Sequence, residues 1–270
     1  MISVQAAKWV IPAIAGLLLS TTVNAKPAPR IAIIIDDLGY ELEAGRRAVN
    51  LPGPVACAVL PSTPRAIELA RAARTAGKEV LLHLPMQSET DDADQEPGMI
   101  RLDTTREQFA RSFAESFESV PFAIGVNSHR GSLLTQHPGH MEWLMEEITA
   151  RGDLVFVDSY TTHRSVALQL ARENGIPSVR RDVFLDSDRD DESIAREFDR
   201  LKQLARSRGL AIAIGHPHAE TLAFLERELP GLAGQGYELV GIREYVALKY
   251  GAGNTNALPP AAGATAATAD

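Results

Sequence analysis

The chain has 270 residues, a formal net charge of −8 and a sequence pI of about 5.4. Hydrophobic residues make up 45% and charged residues 23%, as in an ordinary globular domain with a sizeable core. Nucleic acids and anionic membranes bind basic surfaces, so this acidic balance argues against both as partners. The single cysteine, Cys57, excludes an internal disulfide and a Cys-x-x-Cys metal or redox motif.

Residues 1–25 are predicted to be a signal peptide rather than part of the fold. Lys8 precedes an apolar run, WVIPAIAGLLL, that is too short to favour a membrane-spanning helix. The small residues of TTVNA suit cleavage after Ala25. This layout predicts export, with the periplasm as the expected compartment. The alternative is an uncleaved N-terminal membrane anchor.

Short β-rich runs then alternate with amphipathic stretches along the chain. The runs are IAIII (31–35), VACAVL (55–60), EVLLHL (79–84), FAIGV (122–126), LVFVD (154–158), SVRRDVFL (178–185), LAIAIG (210–215) and YELVGI (237–242). Helical patterns lie between them; Phe109, Phe113 and Phe117, for example, share one helix face. The runs are continuously apolar, which is expected of parallel strands covered on both faces.

Seven or eight β–α units in a single domain, residues 26–250, predict an α/β fold of the (β/α) barrel type. A doubly wound open sheet is the structural alternative. The sequence has no Walker loop, and no G-x-G-x-x-G follows the first predicted strand, so a nucleotide is not expected as a partner. Residues 251–270 are rich in Ala, Gly and Pro and predict a disordered tail, and the acidic stretch 88–98 predicts a long loop.

Polar side chains follow most of the predicted strands, at the end where a (β/α) barrel carries its chemistry. They are Asp36, Asp37, His83, Asn127, His129, Arg130, Asp158, Asp186, His216 and His218. Taken singly, each has an ordinary structural interpretation as a helix cap, a turn former or a buried histidine. Their convergence at one end instead predicts a divalent-metal site. Carboxylates and imidazoles without thiolates suit a zinc-like ion with open positions for water.

The adjacent acids Asp36 and Asp37 set a geometric condition on this site. On an ideal strand, neighbouring side chains point in opposite directions. The two carboxylates can serve one centre, one as a ligand and one as a base, only if the strand twists at its end. With a protonated histidine for the leaving group, such a centre would catalyse hydrolysis by a metal-activated water.

Five segments in chain order, IIDDLG, LHLPMQ, NSHRGS, FVDSYTT and AIGHPH, resemble the divergent polysaccharide deacetylase family. That family is a branch of the NodB-type carbohydrate esterases. The resemblance spans residues 30–248 and implies a distorted (β/α) barrel with a divalent metal, most simply zinc. It also implies an enzyme that removes acetyl groups from an N-acetylated polysaccharide such as a cell-wall glycan. The bond hydrolysed is then a carbon–nitrogen bond other than a peptide bond.

The same resemblance implies catalytic roles for individual residues. Asp36 is the expected base, and Asp37 is an expected metal ligand. His216, in the last motif, is the expected acid that protonates the leaving amine. Asp158 resembles a residue that orients a catalytic group.

The second motif departs from the family pattern. It is usually His-x-x-x-His, but here His83 is followed by Gln87 at the second histidine position. His83 is therefore an expected ligand, and His129 is the expected replacement for the missing one. Four further residues are assigned to substrate binding: Asn127, Gln87, Arg130 and His218.

A second interpretation stays open because glutamine is a poorer metal ligand than imidazole. If His129 does not reach the metal, the chain is a catalytically inactive deacetylase-fold protein that binds a glycan or an envelope protein. A two-metal phosphodiesterase is disfavoured because the acids are few, and a serine hydrolase because no G-x-S-x-G motif is present.

Overall fold

The computed structural model of the chain describes residues 27–90 and 96–251. The predicted signal peptide, 1–25, lies outside these residues, as does the predicted tail, 251–270, except for Gly251, which ends the last helix. Within the described ranges, no helix is both long enough and apolar enough to cross a membrane.

Parallel strands form one curved sheet, in the order β6-β5-β4-β3-β2-β1-β8-β7, with β9 paired to the start of β1. The strands are β1 (Arg30–Leu38), β2 (Ala56–Val59), β3 (Val80–Met86), β4 (Ala123–Arg130), β5 (Val155–Asp158), β6 (Ser178–Arg180), β7 (Val183–Phe184), β8 (Leu210–Gly215) and β9 (Glu238–Leu239). Every strand pairing is parallel, as the continuously apolar runs predicted. The distorted (β/α) barrel of a single domain is confirmed.

Helices alternate with the strands. They are α1 (Leu42–Val49), α2 (Ala66–Thr75), α3 (Arg106–Ser119), α4 (Pro138–Thr149), α5 (Ala167–Glu173), α6 (Asp191–Arg208), α7 (Ala219–Glu228) and α8 (Ile242–Gly251). Local sequence fixes several of their ends. The Thr105 hydroxyl accepts a hydrogen bond from the Gln108 amide, and the Gln108 side chain accepts one from the Thr105 amide, so α3 begins with a capping box. Gly209 ends α6 in the left-handed conformation.

One strand connection carries no helix. The predicted run 178–185 is divided into β6 and β7, which are separated only by Arg181 and Asp182. β6 pairs with β5, whereas β7 pairs with β8. This stretch therefore changes partners between the two ends of the sheet, and a helix that would follow β6 in a regular barrel is missing.

Two apolar layers hold the sheet in place. The larger one packs the outer face of the sheet against the surrounding helices. The smaller one fills the inner face, where Ile34 and Ile214 meet Ile242, Tyr245 and Val246 of α8. Both faces of the strands are thus buried, which leaves the carboxyl ends of the strands as the place where polar side chains collect.

Candidate active site

A bend in β1 brings Asp36 and Asp37 to the same place. Pairing with β2 slips by one residue between Ile35 and Leu38, and Asp37 has a positive φ of 57°. As a result, Oδ2 of Asp36 and Oδ1 of Asp37 lie 3.6 and 3.0 Å from Nε2 of His83. The twist that the two adjacent acids required is therefore present in the backbone.

Gly39 makes the turn after this bend possible. Its φ is +142°, and a Cβ atom there would lie 2.1 Å from Oγ1 of Thr63. The Thr63 hydroxyl is fixed because it donates a hydrogen bond to the Leu60 carbonyl. Only glycine fits between these groups, so this steric crowding explains why the IIDDLG segment ends in glycine.

Three candidate ligands from three strands meet at one point. Oδ1 of Asp37 lies 3.0 Å from Nε2 of His83 and 2.9 Å from Nδ1 of His129. The two imidazole nitrogens are themselves 3.0 Å apart. His83 is buried, whereas Asp37 is one-third exposed. The three atoms form a closed triangle that solvent reaches from the side of Asp37.

The donor set and its spacing fit a divalent ion. Ligands about 2.1 Å from a tetrahedral ion lie about 3.4 Å apart, so a small outward movement would accommodate one. Burial opposes ionisation of Asp37, but its close contacts with the His129 and His83 imidazoles hold its pKa far below the usual range. Three protein ligands would leave a tetrahedral ion one position for water or substrate.

Asn127 fixes the tautomer of His83. Its side-chain nitrogen donates to Oδ1 of Asp36 at 2.8 Å, so its oxygen faces Nδ1 of His83 at 2.9 Å. That oxygen is an acceptor, and Nδ1 of His83 therefore carries the proton. The lone pair on Nε2 is then directed at Asp37 and His129, which is the arrangement a metal ligand needs.

Asp36 has the environment of a base. Its side chain is buried, and burial raises its pKa above the usual range. Its Oδ1 is held by Asn127, while its Oδ2 faces His83. A carboxylate with a raised pKa beside a metal centre accepts a proton from water more readily than an ordinary one.

His216 lies beside Asp37 and is held by Asp186. Nδ1 of His216 is 2.9 Å from Oδ1 of Asp186, and Oδ2 accepts hydrogen bonds from the His216 amide and the Thr221 hydroxyl. Burial lowers the pKa of His216, but the Asp186 hydrogen bond together with the charges of Asp37, Asp36 and Asp186 outweighs burial, and the pKa is raised. The raised pKa favours the imidazolium form, in which Nε2 also carries a proton, and Nε2 lies 3.8 Å from Oδ2 of Asp37.

The structure separates Asp158 and Gln87 from this cluster. Oxygens of Asp158 accept from the Tyr160 amide and the Ser165 hydroxyl, each at 2.9 Å. The Gln87 side chain accepts from the Leu102 amide at 2.8 Å and so ties down the segment before α3. Among the described residues, no hydrogen bond or ion pair joins either side chain to the candidate ligands. The residue beside His216 is Asp186 rather than Asp158.

Arg130 and His218 border the cluster. Arg130 ends β4 with a φ of 55°, and its guanidinium lies 3.1 Å from Oε1 of Glu96. The ring of His218 lies 5.7 Å from the ring of His216. Asp186, His216 and His218 form a second group of metal-type side chains, in which Asp186 also accepts hydrogen bonds from the His216 amide and the Thr221 hydroxyl.

Sequence reasoning missed the roles of Glu96 and Asp186. Oε2 of Glu96 lies 2.9 Å from Nε2 of His129, and with Asp37 it raises the pKa of His129 to about 9 despite burial. Glu96 belongs to the acidic stretch 88–98, where nothing in the sequence distinguishes it from its neighbours. Asp186 follows a strand like the other site residues, and that position was the available signal.

Comparison with known proteins agrees with this geometry. The sequence model of the divergent polysaccharide deacetylase family matches residues 33–246. The chain belongs to this family.

Two relatives are similar over most of the chain. An uncharacterized Escherichia coli protein, YibQ, is 35% identical over 200 residues, which are 74% of this chain and 62% of that protein. This chain thus spans about three fifths of the YibQ length. An uncharacterized protein of Haemophilus influenzae is 34% identical over 213 residues, 79% of this chain and 75% of that protein.

Solved structures share the fold. An uncharacterized protein from Agrobacterium tumefaciens superposes with a TM-score of 0.77 at 24% identity, over 83% of this chain and 90% of that chain. The catalytic domain of a peptidoglycan N-acetylglucosamine deacetylase from Eubacterium rectale gives a TM-score of 0.53 at 15% identity, over 83% and 93%. At these identities the likeness concerns the fold.

Proposed function

We propose that this protein is a metal-dependent deacetylase that hydrolyses N-acetyl groups of an envelope polysaccharide. The observation that carries the proposal is the triangle of Asp37, His83 and His129, whose ligand atoms lie within 3.0 Å of one another. Because His129 stands beside Asp37, the chain has three ligands despite Gln87. This geometry favours an enzyme over an inactive glycan-binding relative.

The side chains around the triangle divide the work of amide hydrolysis. A divalent ion such as zinc, when bound, would polarise the acetyl carbonyl and acidify a water molecule. Asp36 would take the proton of the attacking water. His216, held protonated by Asp186, would donate a proton from Nε2 to the leaving amine. One carboxylate, beside His83, and one imidazole, beside Asp37, thus border the ligand triangle.

The proposed substrate and location follow from the family and the N-terminal sequence. Membership of the deacetylase family supports an N-acetylated glycan as substrate. The signal-peptide layout of residues 1–25 supports export to the periplasm, where cell-wall glycan is present.

Acetate release from N-acetylglucosamine tetramer tests this proposal. The mature chain, 26–270, is incubated with zinc and the tetramer, and the acetate and the product mass are measured. We expect acetate from the wild type, at least about a hundredfold less from Asp36→Asn, and no change in Asp199→Asn, an exposed residue on α6. Zinc-loaded protein that releases no acetate from neutral or acidic N-acetylated glycans would refute the deacetylase and favour the binding protein.

A further inference from the structure

A polar groove occupies the place where the barrel lacks a helix. Its cavity of about 740 Å³ is bounded by the β6–β7 stretch, the residues after β5 and one face of α6. On α6, the lining residues Arg196, Arg200, Leu204 and Arg208 recur at the spacing of a single helix face. This volume lies within the range of small-molecule sites. We call this cavity the arginine groove, after Arg180, Arg181, Arg196, Arg200 and Arg208.

The lining of the arginine groove is positive on an acidic protein. Five arginines stand against three carboxylates, Asp182, Asp188 and Glu197, while the whole chain has a net charge of −8. Three of the arginines are already paired: Arg196 with Glu192, Arg200 with Glu197 and Arg208 with Asp182. The groove lining thus has two more arginines than carboxylates, although the chain as a whole is acidic.

Arg180 and Arg181 supply this excess. Neither forms an ion pair with a carboxylate among the residues that the structure describes. The guanidinium of Arg180 lies 4.1 Å from the centre of the Tyr160 ring. Arg181 donates from Nε to the Ser159 carbonyl at 2.7 Å and from Nη2 to the Tyr160 carbonyl at 3.0 Å. Both guanidinium groups are thus held in place by contacts other than ion pairs, with Asp158 near enough to interact with both electrostatically.

Holding these cations together costs free energy in the ligand-free protein. Burial lowers the pKa of Arg181 and outweighs the nearby Asp36 and Asp158, which raise it, while Arg200 lowers it as well. Tyr160, which carries Arg180 on its ring and accepts from Arg181, has a strained φ of 53° for a non-glycine residue. A bound anion would offset this repulsion, and the fixed guanidinium groups would need little reordering to bind it.

The groove adjoins the candidate catalytic residues. Phe184 lines the groove, and its ring centre lies 5.0 Å from that of His216. Arg181 is close enough to Asp36 to interact with it electrostatically. A glycan with its N-acetyl group at the ligand triangle would therefore have another part of the chain near Arg180.

We propose that the arginine groove binds the carboxylate of an acidic sugar in the same glycan, and this proposal rests on the proposed function. Guanidinium groups bind carboxylates through paired, charge-assisted hydrogen bonds. The aromatic face of Tyr160 adds a surface suited to the apolar side of a sugar ring. The deacetylase would then select N-acetylated glycans that carry carboxylates over neutral ones.

A matched pair of ligands tests the charge requirement. The acid is a tetrasaccharide of alternating N-acetylglucosamine and N-acetylmuramic acid, and its methyl ester lacks only the negative charges. Isothermal titration calorimetry of the mature chain measures both. We expect the acid to bind at least about tenfold more tightly, the effect of one charge-assisted hydrogen bond. Arg180→Gln should remove most of this preference, whereas Arg74→Gln, exposed on α2 and outside the groove lining, should keep it.

Equal binding of acid and ester, or an unchanged preference in Arg180→Gln, would overturn the proposal. Tighter competition by inorganic phosphate than by the acid tetrasaccharide would also overturn it and assign the groove to phosphate. Turnover of the neutral N-acetylglucosamine tetramer separates the two claims. If the tetramer is turned over but acid and ester bind equally, the proposed role of the arginine groove is refuted and the deacetylase stands. If the acid binds more tightly than the ester through Arg180 but no glycan is turned over, the deacetylase is refuted and a carboxylate-binding site remains.

Discussion

Replacing Asn127 by leucine tests how the site is held together. Asn127 is fully buried and connects two strands, because it donates to Asp36 and accepts from Nδ1 of His83. Leucine has a similar volume and forms neither hydrogen bond. Asn127→Leu would therefore leave a carboxylate oxygen and an imidazole N–H buried without partners.

The expected effect has two parts. Each buried polar group left unpaired costs about 1–3 kcal/mol, so the free energy of unfolding should fall by about 2–6 kcal/mol. The second effect concerns His83, whose tautomer and orientation Asn127 fixes. Loss of such a supporting hydrogen bond typically lowers metal affinity by about 10- to 100-fold.

Urea denaturation of the metal-free protein measures the first effect, and competition with a chromophoric zinc chelator measures the second. Asn174→Leu is the matched control. Asn174 ends α5, is half-buried and donates to Glu142 and to the Leu170 carbonyl. We expect it to cost about 1 kcal/mol without changing metal affinity. If Asn127→Leu binds zinc as tightly as the wild type, the assignment of Nε2 of His83 as a ligand atom is refuted.

Three further predictions concern the residues around the site. Asp186→Asn removes the carboxylate that raises the pKa of His216, so the alkaline limb of the activity profile should move to lower pH; an unmoved limb would contradict the acid role. Glu96→Gln should weaken zinc binding by about 10-fold or more, whereas Glu89→Gln, whose carboxylate lies at the surface, should not. Gln87→Ala should lower the free energy of unfolding by about 1 kcal/mol with zinc affinity unchanged, because its side chain bonds to the segment before α3; a large loss of affinity would show that it contacts the metal.

The sequence was sufficient to predict the barrel and the edge where its polar side chains collect. Continuously apolar strand runs separated by amphipathic stretches require a parallel sheet with helices outside. Parallel strands place all their carboxyl ends together. Asp37, His83 and His129 could therefore be expected near one another from their positions alone.

Other features depend on contacts that a single sequence does not contain. Asp37 has its positive φ where the pairing of β1 with β2 shifts by one residue, and this shift is visible only in the paired strands of the structure. Asp186 follows β7 and His216 follows β8, and the two residues meet because these strands pair with each other. Glu96 contacts His129 from a loop, and the amino-acid sequence of a loop does not predict where its side chains lie in space. Each of these depends on tertiary pairing rather than on local pattern.

Metal content of the mature chain tests the central claim most directly. Elemental mass spectrometry after incubation with zinc and removal of free ion compares the wild type with His129→Ala and with His163→Ala, an exposed histidine outside the site. The geometry predicts about one equivalent of zinc in the wild type and in His163→Ala, and little or none in His129→Ala. A wild type without zinc, or a His129→Ala protein that retains it in full, would contradict the account.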